Sequence, residues 1–247
     1  MKTNKLKNIL LENLKTLIIA LIRAVMIRSL IVQPFYIPSS SMELNLLVGD
    51  RLFVTKYSYG YSKHSFPFSP PIFKDRIFEN LPNRGDIIVF KTPSDNRTDY
   101  IKRLIGLPGD SIQFIDGNLF INNNQVLTTL INNNKELFCG TQNIDVSTYE
   151  EKISNNKSYI VSYRNDVSFQ NSDKYVVPEN HYFFLGDNRD CSKDSRFLSE
   201  VGYVNQNNLV GKAQILFFSS NPKKGSIFNI FKWNEIVRFE RFFNKIN

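Results

Sequence analysis

After Pro34 the chain consists of short apolar runs separated by Gly, Pro, Asn and Asp. Examples are RLFVTKYSYG, GDIIVF, DSIQFI, KYVVP, HYFFLG and AQILFF. Runs of this length, bounded by turn residues, are typical of β-strands, and no long segment of this body keeps a helical period. Because an open sheet exposes its edges, we expect the strands to twist and close on themselves. The sequence predicts a mainly β fold, an antiparallel sheet of barrel-like form over residues 34–220.

The N-terminal segment differs from this body in its composition. The run TLIIALIRAVMIRSLIV, residues 16–32, is apolar apart from two arginines and a serine, and it follows a lysine-rich start. This pattern predicts one transmembrane helix within residues 1–33, with the lysines on the cytoplasmic side. The run is shorter than the roughly 20 residues of a full span, and Arg23 near its middle costs on the order of 2.5–3.5 kcal/mol. A cleavable signal peptide and a helix lying in the membrane interface remain alternatives.

The positive charge of the chain lies at its two ends. Lys and Arg outnumber Asp and Glu by 31 to 23. Residues 1–28 have a net charge of +5, residues 222–247 have +4, and the rest has −1. Basic ends around a nearly neutral body favour a lipid bilayer as partner and disfavour nucleic acid.

Cysteine and histidine are too few for a metal centre. Cys139, Cys191, His64 and His181 are the only residues of these types, and they form no zinc-binding spacing. We therefore expect neither a metal nor a cofactor. Two isolated cysteines are more often unpaired than bonded, but the sequence leaves their pairing open.

Three segments outside the predicted strands have unusual composition. Residues 61–83 are rich in proline and predict a long loop. Residues 122–175 are rich in Asn, Ser and Lys, which predicts an insertion or flap, most simply a solvated loop. Residues 221–247 are basic and aromatic, and their spacing predicts a C-terminal helix. This helix would either pack on the β body or lie on the membrane face.

A serine cluster and one lysine are the candidates for nucleophilic chemistry. The serines of the segment PFYIPSSSMELNLLVGD are ordinary turn residues unless a base lies near one of them. Neither histidine sits in a recognisable triad context. A lysine can replace histidine as the base if burial lowers its pKa. Lys102, in DYIKRLIGLPGD, is flanked by apolar residues, and in a strand it would share a face with Tyr100 and Leu104.

A third segment, GDNRDCSKDSR, follows the apolar run HYFFL. A polar loop after a strand is usually a surface turn. Here Asp and Arg alternate, which predicts an ordered hydrogen-bond network able to hold a neighbouring amine in place.

Together these segments resemble the conserved boxes of bacterial type I signal peptidases, a family of serine-lysine proteases. The resemblance rests on PSSSM, on YIKRLIGLPGD with RGDIIVF before it, and on GDNRDCSKDSR, in the family's order from about Gln33 to Phe218. It implies a membrane-bound endopeptidase that removes signal peptides from exported preproteins after small-x-small sites. It also implies a bacterial inner-membrane location, with a single-pass anchor and the catalytic domain on the periplasmic side.

The same resemblance implies roles for individual residues. Ser41 would be the nucleophile and Lys102 the general base. Ser39 and the Ser41 amide would form the oxyanion hole, and Ser192 with Asp194 would orient the lysine. The walls of the substrate pockets would be Phe35, Ile37, Met42, Leu46, Tyr100 and Ile101.

Three positions depart from the family's usual pattern. Ser40 replaces a Gly, Leu44 replaces a Pro and Cys191 replaces an Asn. A Cβ at position 40 would be costly if φ there were positive. A soluble Ser-Lys autoprotease lacks an apolar N-terminus of this kind, so that class is disfavoured. A catalytically silent membrane-bound binding protein remains the alternative.

Overall fold

The computed structural model describes residues 2–71, 74–154 and 157–246. Residues 72–73 of the predicted loop and 155–156 of the predicted insertion lie outside these ranges. Helix α1 spans Lys2–Leu30, and the single-turn helix α2 spans Trp233–Ile236. The strands are β1 Val32–Tyr36, β2 Asp50–Thr55, β3 Ile87–Lys91, β4 Asp99–Gly106, β5 Ser111–Ile115, β6 Asn118–Ile121, β7 Asn124–Gln125, β8 Leu127–Cys139, β9 Gln142–Ser154, β10 Lys157–Arg164, β11 Tyr175–Val176, β12 His181–Leu185, β13 Val204–Asn205 and β14 Leu209–Ser219.

The strands form three sheets, and their pairings are antiparallel. The largest has the order β1-β2-β14-β3-β4-β12-β13, and the others have the orders β10-β9-β8 and β11-β5-β6-β7. The predicted mainly β, antiparallel fold is confirmed. The large sheet does not close on itself, because β1 and β13 form its two edges. Strand β13, at one edge, has only two residues and therefore offers little backbone for further pairing.

The centre of the large sheet is buried on both faces. Ile87 and Val89 of β3 belong to one apolar cluster, while Ile88 and Phe90 belong to another. This follows from the alternation of side chains along a strand. Strand β4 pairs with β3 so that Lys102 lies opposite Ile88. The lysine is therefore placed on a strand in the middle of the core.

Residues 122–175 are not a solvated loop. Strands β8 and β9 form a long hairpin, and β10 pairs with β9. In β9 the buried residues Ile144, Val146 and Thr148 alternate with more exposed ones. Polar composition was misleading here because a strand with one solvated face needs apolar residues only at every second position. The interpretation as an insertion or flap stays a prediction.

The C-terminal segment is not one helix. Only α2 is α-helical, with 3₁₀ turns on either side at Ile230–Lys232 and Phe239–Arg241. Strand β3 pairs with β14 only as far as Lys212, so the rest of that edge of β14 is open. The C-terminal backbone bonds there instead, for example from the Ile246 amide to the Gln214 carbonyl. The unpaired backbone groups of β14 thus determine the conformation of this segment more strongly than the helical spacing of its side chains does.

Helix α1 covers most of the segment predicted as the anchor. It is joined to the β body at its C-terminal end, where the Tyr61 hydroxyl donates to the Leu30 carbonyl at 2.8 Å and the Lys56 amide donates to Ile31. Over the described ranges, no helix has both the length and the apolar character that a membrane crossing requires.

Candidate active site

Ser41 and Lys102 meet in the structure. Ser41 lies in the turn after β1, and Lys102 lies in β4, 61 residues further along the chain. The Lys102 Nζ donates a hydrogen bond to the Ser41 Oγ. Both residues are buried, with 4% of Lys102 and 6% of Ser41 exposed. The predicted strand position of Lys102 is confirmed, and its Nζ lies 5.4 Å from the centre of the Tyr100 ring.

The surroundings of Lys102 favour its neutral amine. Burial lowers the pKa of Lys102 from 10.5 to about 8. The carboxylates of Asp194 and Asp187 act in the opposite direction, and the Arg196 guanidinium adds to the lowering. Burial outweighs the carboxylates because removing an ammonium ion from water is costly. The amine can therefore accept a proton at mildly alkaline pH.

The segment GDNRDCSKDSR holds the backbone around Ser41. The Asn188 amide donates to the Ser41 carbonyl at 3.1 Å, and the Asn188 side chain donates to the Ser40 carbonyl at 3.2 Å. Gly186 allows this close approach: a Cβ there would lie 2.6 Å from the Ser41 carbonyl oxygen and 2.2 Å from the Ser192 Oγ. Sequence reasoning missed Gly186, although its place at the head of the motif was a usable signal.

The predicted Asp–Arg network is present and buried. Arg196 pairs with Asp194, Arg103 pairs with Asp187, each at 2.8 Å, and Arg189 pairs with Glu151 at 2.5 Å. Burial alone would raise the pKa of Asp194. The Arg196 guanidinium and the Gly186 amide outweigh it and lower that pKa. Asp194 is thus held as a carboxylate near Lys102.

Ser192 and Ser39 both lie near Ser41. Ser192 is buried, with 5% of its surface exposed, and it packs against the position of Gly186. Ser39 is exposed, and its Oγ lies 3.4 Å from the Ser41 Oγ. Both predicted serines are therefore brought to the site.

A groove of about 560 Å³ opens over Ser41 and Lys102. Four of the predicted wall residues line it: Phe35, Ile37, Tyr100 and Ile101. Met42 and Leu46 do not. Their side chains are fully buried in the apolar cluster beneath the groove. They support the groove from the core instead of forming its surface.

Sequence reasoning missed several residues that line this groove. They are Tyr36, Pro38, Val89, Thr98, Asp99, Cys191 and Lys193. Cys191 and Lys193 belong to the motif already singled out, so their position could have been inferred. Asp99 opens the segment DYIKRLIGLPGD, so its position could also have been inferred, whereas Thr98 lies before that segment and had no signal.

The two departures near the nucleophile have different consequences. Ser40 is not among the residues with positive φ, so its Cβ meets no conformational penalty of that kind. Leu44 has φ of 90°, a region where a non-glycine residue costs of order 1–3 kcal/mol. Proline has φ fixed near −65° and cannot adopt this conformation. A proline at position 44 is therefore incompatible with this turn.

The two cysteines form a disulfide. Cys139 and Cys191 are bonded, with their Cα atoms 5.4 Å apart, so the expectation of unpaired cysteines is wrong. They are 52 residues apart in sequence, and only the fold of the β8–β9 hairpin brings them together. Cys191 directly precedes Ser192, so the bond ties that hairpin to the site.

Comparison with known proteins identifies the family. The family model described as signal peptidase, peptidase S26, matches residues 10–218. Signal peptidase I of Rickettsia bellii is 40% identical over 94% of this chain and 84% of the relative, and that of Rickettsia conorii is 41% identical over 90% and 88%. A solved signal peptidase I from Enterococcus faecalis is 28% identical, with a TM-score of 0.31, over 54% of this chain and 97% of that one.

The family match covers most of the chain, including the segments that supply Ser41, Lys102 and the surrounding network. The relatives match at similar identity over nearly their whole length. The chain therefore belongs to the signal peptidase family, peptidase S26, whose members are serine endopeptidases that cleave signal peptides from preproteins.

Proposed function

We propose that this chain cleaves signal peptides from exported preproteins with Ser41 as nucleophile and Lys102 as general base. The observation that carries the proposal is the hydrogen bond between two buried side chains at the floor of a groove. Nucleophile and base within hydrogen-bond reach are the geometric signature of covalent catalysis. The lowered pKa of Lys102 fits the same role, because a base must be unprotonated to act.

The reaction follows from this geometry. The neutral amine of Lys102 accepts the proton of the Ser41 hydroxyl as the Oγ attacks the scissile carbonyl. The Ser41 amide and the Ser39 hydroxyl stabilise the resulting oxyanion. Collapse of the intermediate expels the amine of the mature protein, which takes the proton from Lys102. Water, deprotonated by Lys102, then hydrolyses the acyl-enzyme. Ser192 and Asp194 hold the amine in position, and the step requires no cofactor.

The groove suits an extended peptide. Strand β1 forms an edge of the large sheet, and two of its residues, Phe35 and Tyr36, line the groove. A substrate segment can add beside this edge through backbone hydrogen bonds. The large side chains of Phe35, Ile37 and Tyr100 line this groove together with Ser41. We infer that the groove selects small residues at alternate substrate positions, the small-x-small pattern.

We further propose that α1 attaches the enzyme to the bacterial inner membrane as a single-pass anchor, with the catalytic domain on the periplasmic side. Apolar side chains in the helix are exposed, among them Leu17 at 66%, Leu21 at 63% and Ile22 at 54%. Surfaces of this size and character are normally covered by protein or lipid. Resistance of the full chain to extraction from membranes by alkaline carbonate would support the anchor, and its complete release would contradict it.

Cleavage of a model preprotein tests the catalytic proposal. The full chain in liposomes should release the mature protein, and N-terminal sequencing of the product should place the cut after a small-x-small site. The Ser41→Ala variant in the same liposomes is the matched control. A wild-type chain that binds the preprotein without cleaving it would show a silent binding protein and contradict the proposal.

A further inference from the structure

A second cavity, of about 540 Å³, lies at the C-terminal end of α1. It is lined by Arg28 from the last turn of α1, by Lys63 and His64 from the loop after β2, and by Lys91 and Arg97 around the turn after β3. Of the residues lining the catalytic groove, only Asp99 is shared with it. We call it the basic cavity.

The basic cavity has an excess of positive charge. Its two carboxylates are engaged locally: Asp99 pairs with Lys91 at 2.9 Å, and Asp95 accepts hydrogen bonds from its own turn. Within the described ranges, Arg28, Lys63 and Arg97 have no carboxylate at ion-pair distance. Three cations of the cavity wall are therefore available to an anion.

His64 contributes a buried imidazole ring to the cavity wall. It is 4% exposed, and its Nδ1 lies 2.9 Å from the Ser69 Oγ. The Nε2 has no partner among the residues that the structure describes, and it has almost no solvent-accessible surface. The ring therefore lies beside the contents of the cavity without offering them a hydrogen bond.

The electrostatics at His64 point to the same kind of ligand. Burial and the nearby charges of Lys63, Lys91, Arg76 and Lys56 lower the pKa of His64 to about 4. At neutral pH the ring is therefore uncharged, and it lies in a region of positive potential. Such a region favours an anion with several acceptor oxygens.

The surroundings of the basic cavity place it beside the anchor. Tyr61, just before Lys63, bonds to the Leu30 carbonyl at the end of α1. The same loop carries Phe68, whose side chain is fully exposed. Aromatic side chains in such positions are typical of the membrane–water interface, the depth at which lipid phosphates lie. The anionic group nearest to this cavity would be a lipid headgroup.

We propose that the basic cavity binds the phosphate headgroup of an anionic phospholipid, with Arg28, Lys63 and Arg97 neutralising its charge beside the His64 ring. The inference rests on the membrane attachment of α1 proposed above. It gives the enzyme a specific lipid contact at the point where the anchor enters the catalytic domain.

Histidine-selective NMR tests this proposal, because the chain contains only His64 and His181. The full chain in neutral detergent is titrated with dihexanoyl phosphatidylglycerol, dihexanoyl phosphatidylcholine or inorganic phosphate. Phosphatidylglycerol should shift the His64 signals saturably and leave those of His181 in place. No response of His64 to phosphatidylglycerol would overturn the proposal. An equal response to inorganic phosphate at the same concentrations would overturn the lipid assignment.

Charge-reversal variants sharpen the test. The double variant Lys63→Glu with Arg97→Glu should bind phosphatidylglycerol roughly tenfold or more weakly, since each basic residue near anionic lipid contributes about 1 kcal/mol. Lys152→Glu, on the exposed side of β9, is the matched control and should bind like the parent. Unchanged binding by the double variant would reject the cavity as the site.

Preprotein cleavage by the same samples separates the two proposals. Cleavage without headgroup binding means that the lipid site is wrong and the proposed function stands. A parent chain that binds the headgroup but cleaves no preprotein contradicts the proposed function and leaves the lipid site supported.

Discussion

Lys102 and Lys56 are two buried lysines with different neighbours. Lys102 is 4% exposed and Lys56 is 1% exposed. Burial lowers the pKa of each to about 8. The Lys102 Nζ, however, meets the Ser41 hydroxyl, whereas the Lys56 Nζ donates to the backbone carbonyls of His64 and Ser65 at 3.4 and 3.1 Å.

The difference teaches that a lowered pKa alone does not make a catalytic base. Desolvation supplies an amine that is neutral at mildly alkaline pH in both places. Only at Lys102 does that amine face a hydroxyl with room for a carbonyl beside it, at the floor of the groove. Lys56 instead fixes the 3₁₀ turn that carries His64 into the basic cavity. Its role is structural.

The largest expected effect separates the two lysines by activity. Lys102→Met and Ser41→Ala should each reduce preprotein cleavage by about 10⁴-fold or more, because either change removes half of a pair that acts together. Lys56→Met, the matched control, should leave kcat within about threefold of the parent, since it touches no reacting atom. Circular dichroism checks that all three fold. Loss of activity in Lys56→Met with retained folding would break the comparison.

Ser39→Ala tests a second feature proposed only for the Lys102 site, a donor for the oxyanion. Removing one such donor typically costs on the order of 10²–10³ in kcat. The Ser39 hydroxyl is exposed, so the substitution should leave the thermal midpoint of unfolding nearly unchanged. Single-turnover cleavage of a model preprotein measures the effect. A rate equal to that of the parent would remove Ser39 from this role.

The pH dependence of stability should respond to both lysines equally. An unfolded lysine has a pKa near 10.4, so between pH 8 and 10 the unfolded chain binds more protons than the folded one. Each lysine therefore increases the free energy of unfolding as the pH rises. The increase reaches about 3 kcal/mol once the lysine is neutral in both the folded and the unfolded chain. Urea denaturation at pH 7.5 and 9.5 should show a smaller gain in Lys56→Met than in the parent. Equal gains would mean that Lys56 is not desolvated as described.

The smallest effect concerns the pH dependence of the rate. The amine of Lys102 is unprotonated above its pKa, so kcat should rise about tenfold per pH unit below pH 8 and level off above it. Lys56→Met should keep the same midpoint, because its charge does not act on the Ser41 pair. A rate that is flat from pH 6 to 10, with chemistry limiting, would contradict a lysine base.

Much of the candidate active site could be predicted from the sequence. The resemblance of PSSSM, YIKRLIGLPGD and GDNRDCSKDSR to family motifs pointed to Ser41 and Lys102, and the structure places the two in contact. The strand containing Lys102 was also predicted, because alternation and turn residues are local signals. Without that resemblance, local pattern alone does not separate Lys102 from Lys56, since both are flanked by strand-like residues.

Where the sequence misled, the deciding interactions were distant along the chain. The C-terminal segment has helical spacing, yet the open edge of β14 binds its backbone. Residues 122–175 have the composition of a loop, yet pairing across β8, β9 and β10 makes them a sheet. In both cases the backbone hydrogen bonds available in the folded chain outweighed local preference.

The sequence by itself determined that the body is rich in β-strands, that the N-terminal segment is apolar and that the chain contains the family's motifs. Each of these features depends on residues close together in the chain. Tertiary structure alone decided the Cys139–Cys191 bond, the burial of Met42 and Leu46 beneath the groove, and the gathering of the basic cavity around His64. These features depend on which distant segments become neighbours. That is set by strand order and pairing, which local patterns do not encode.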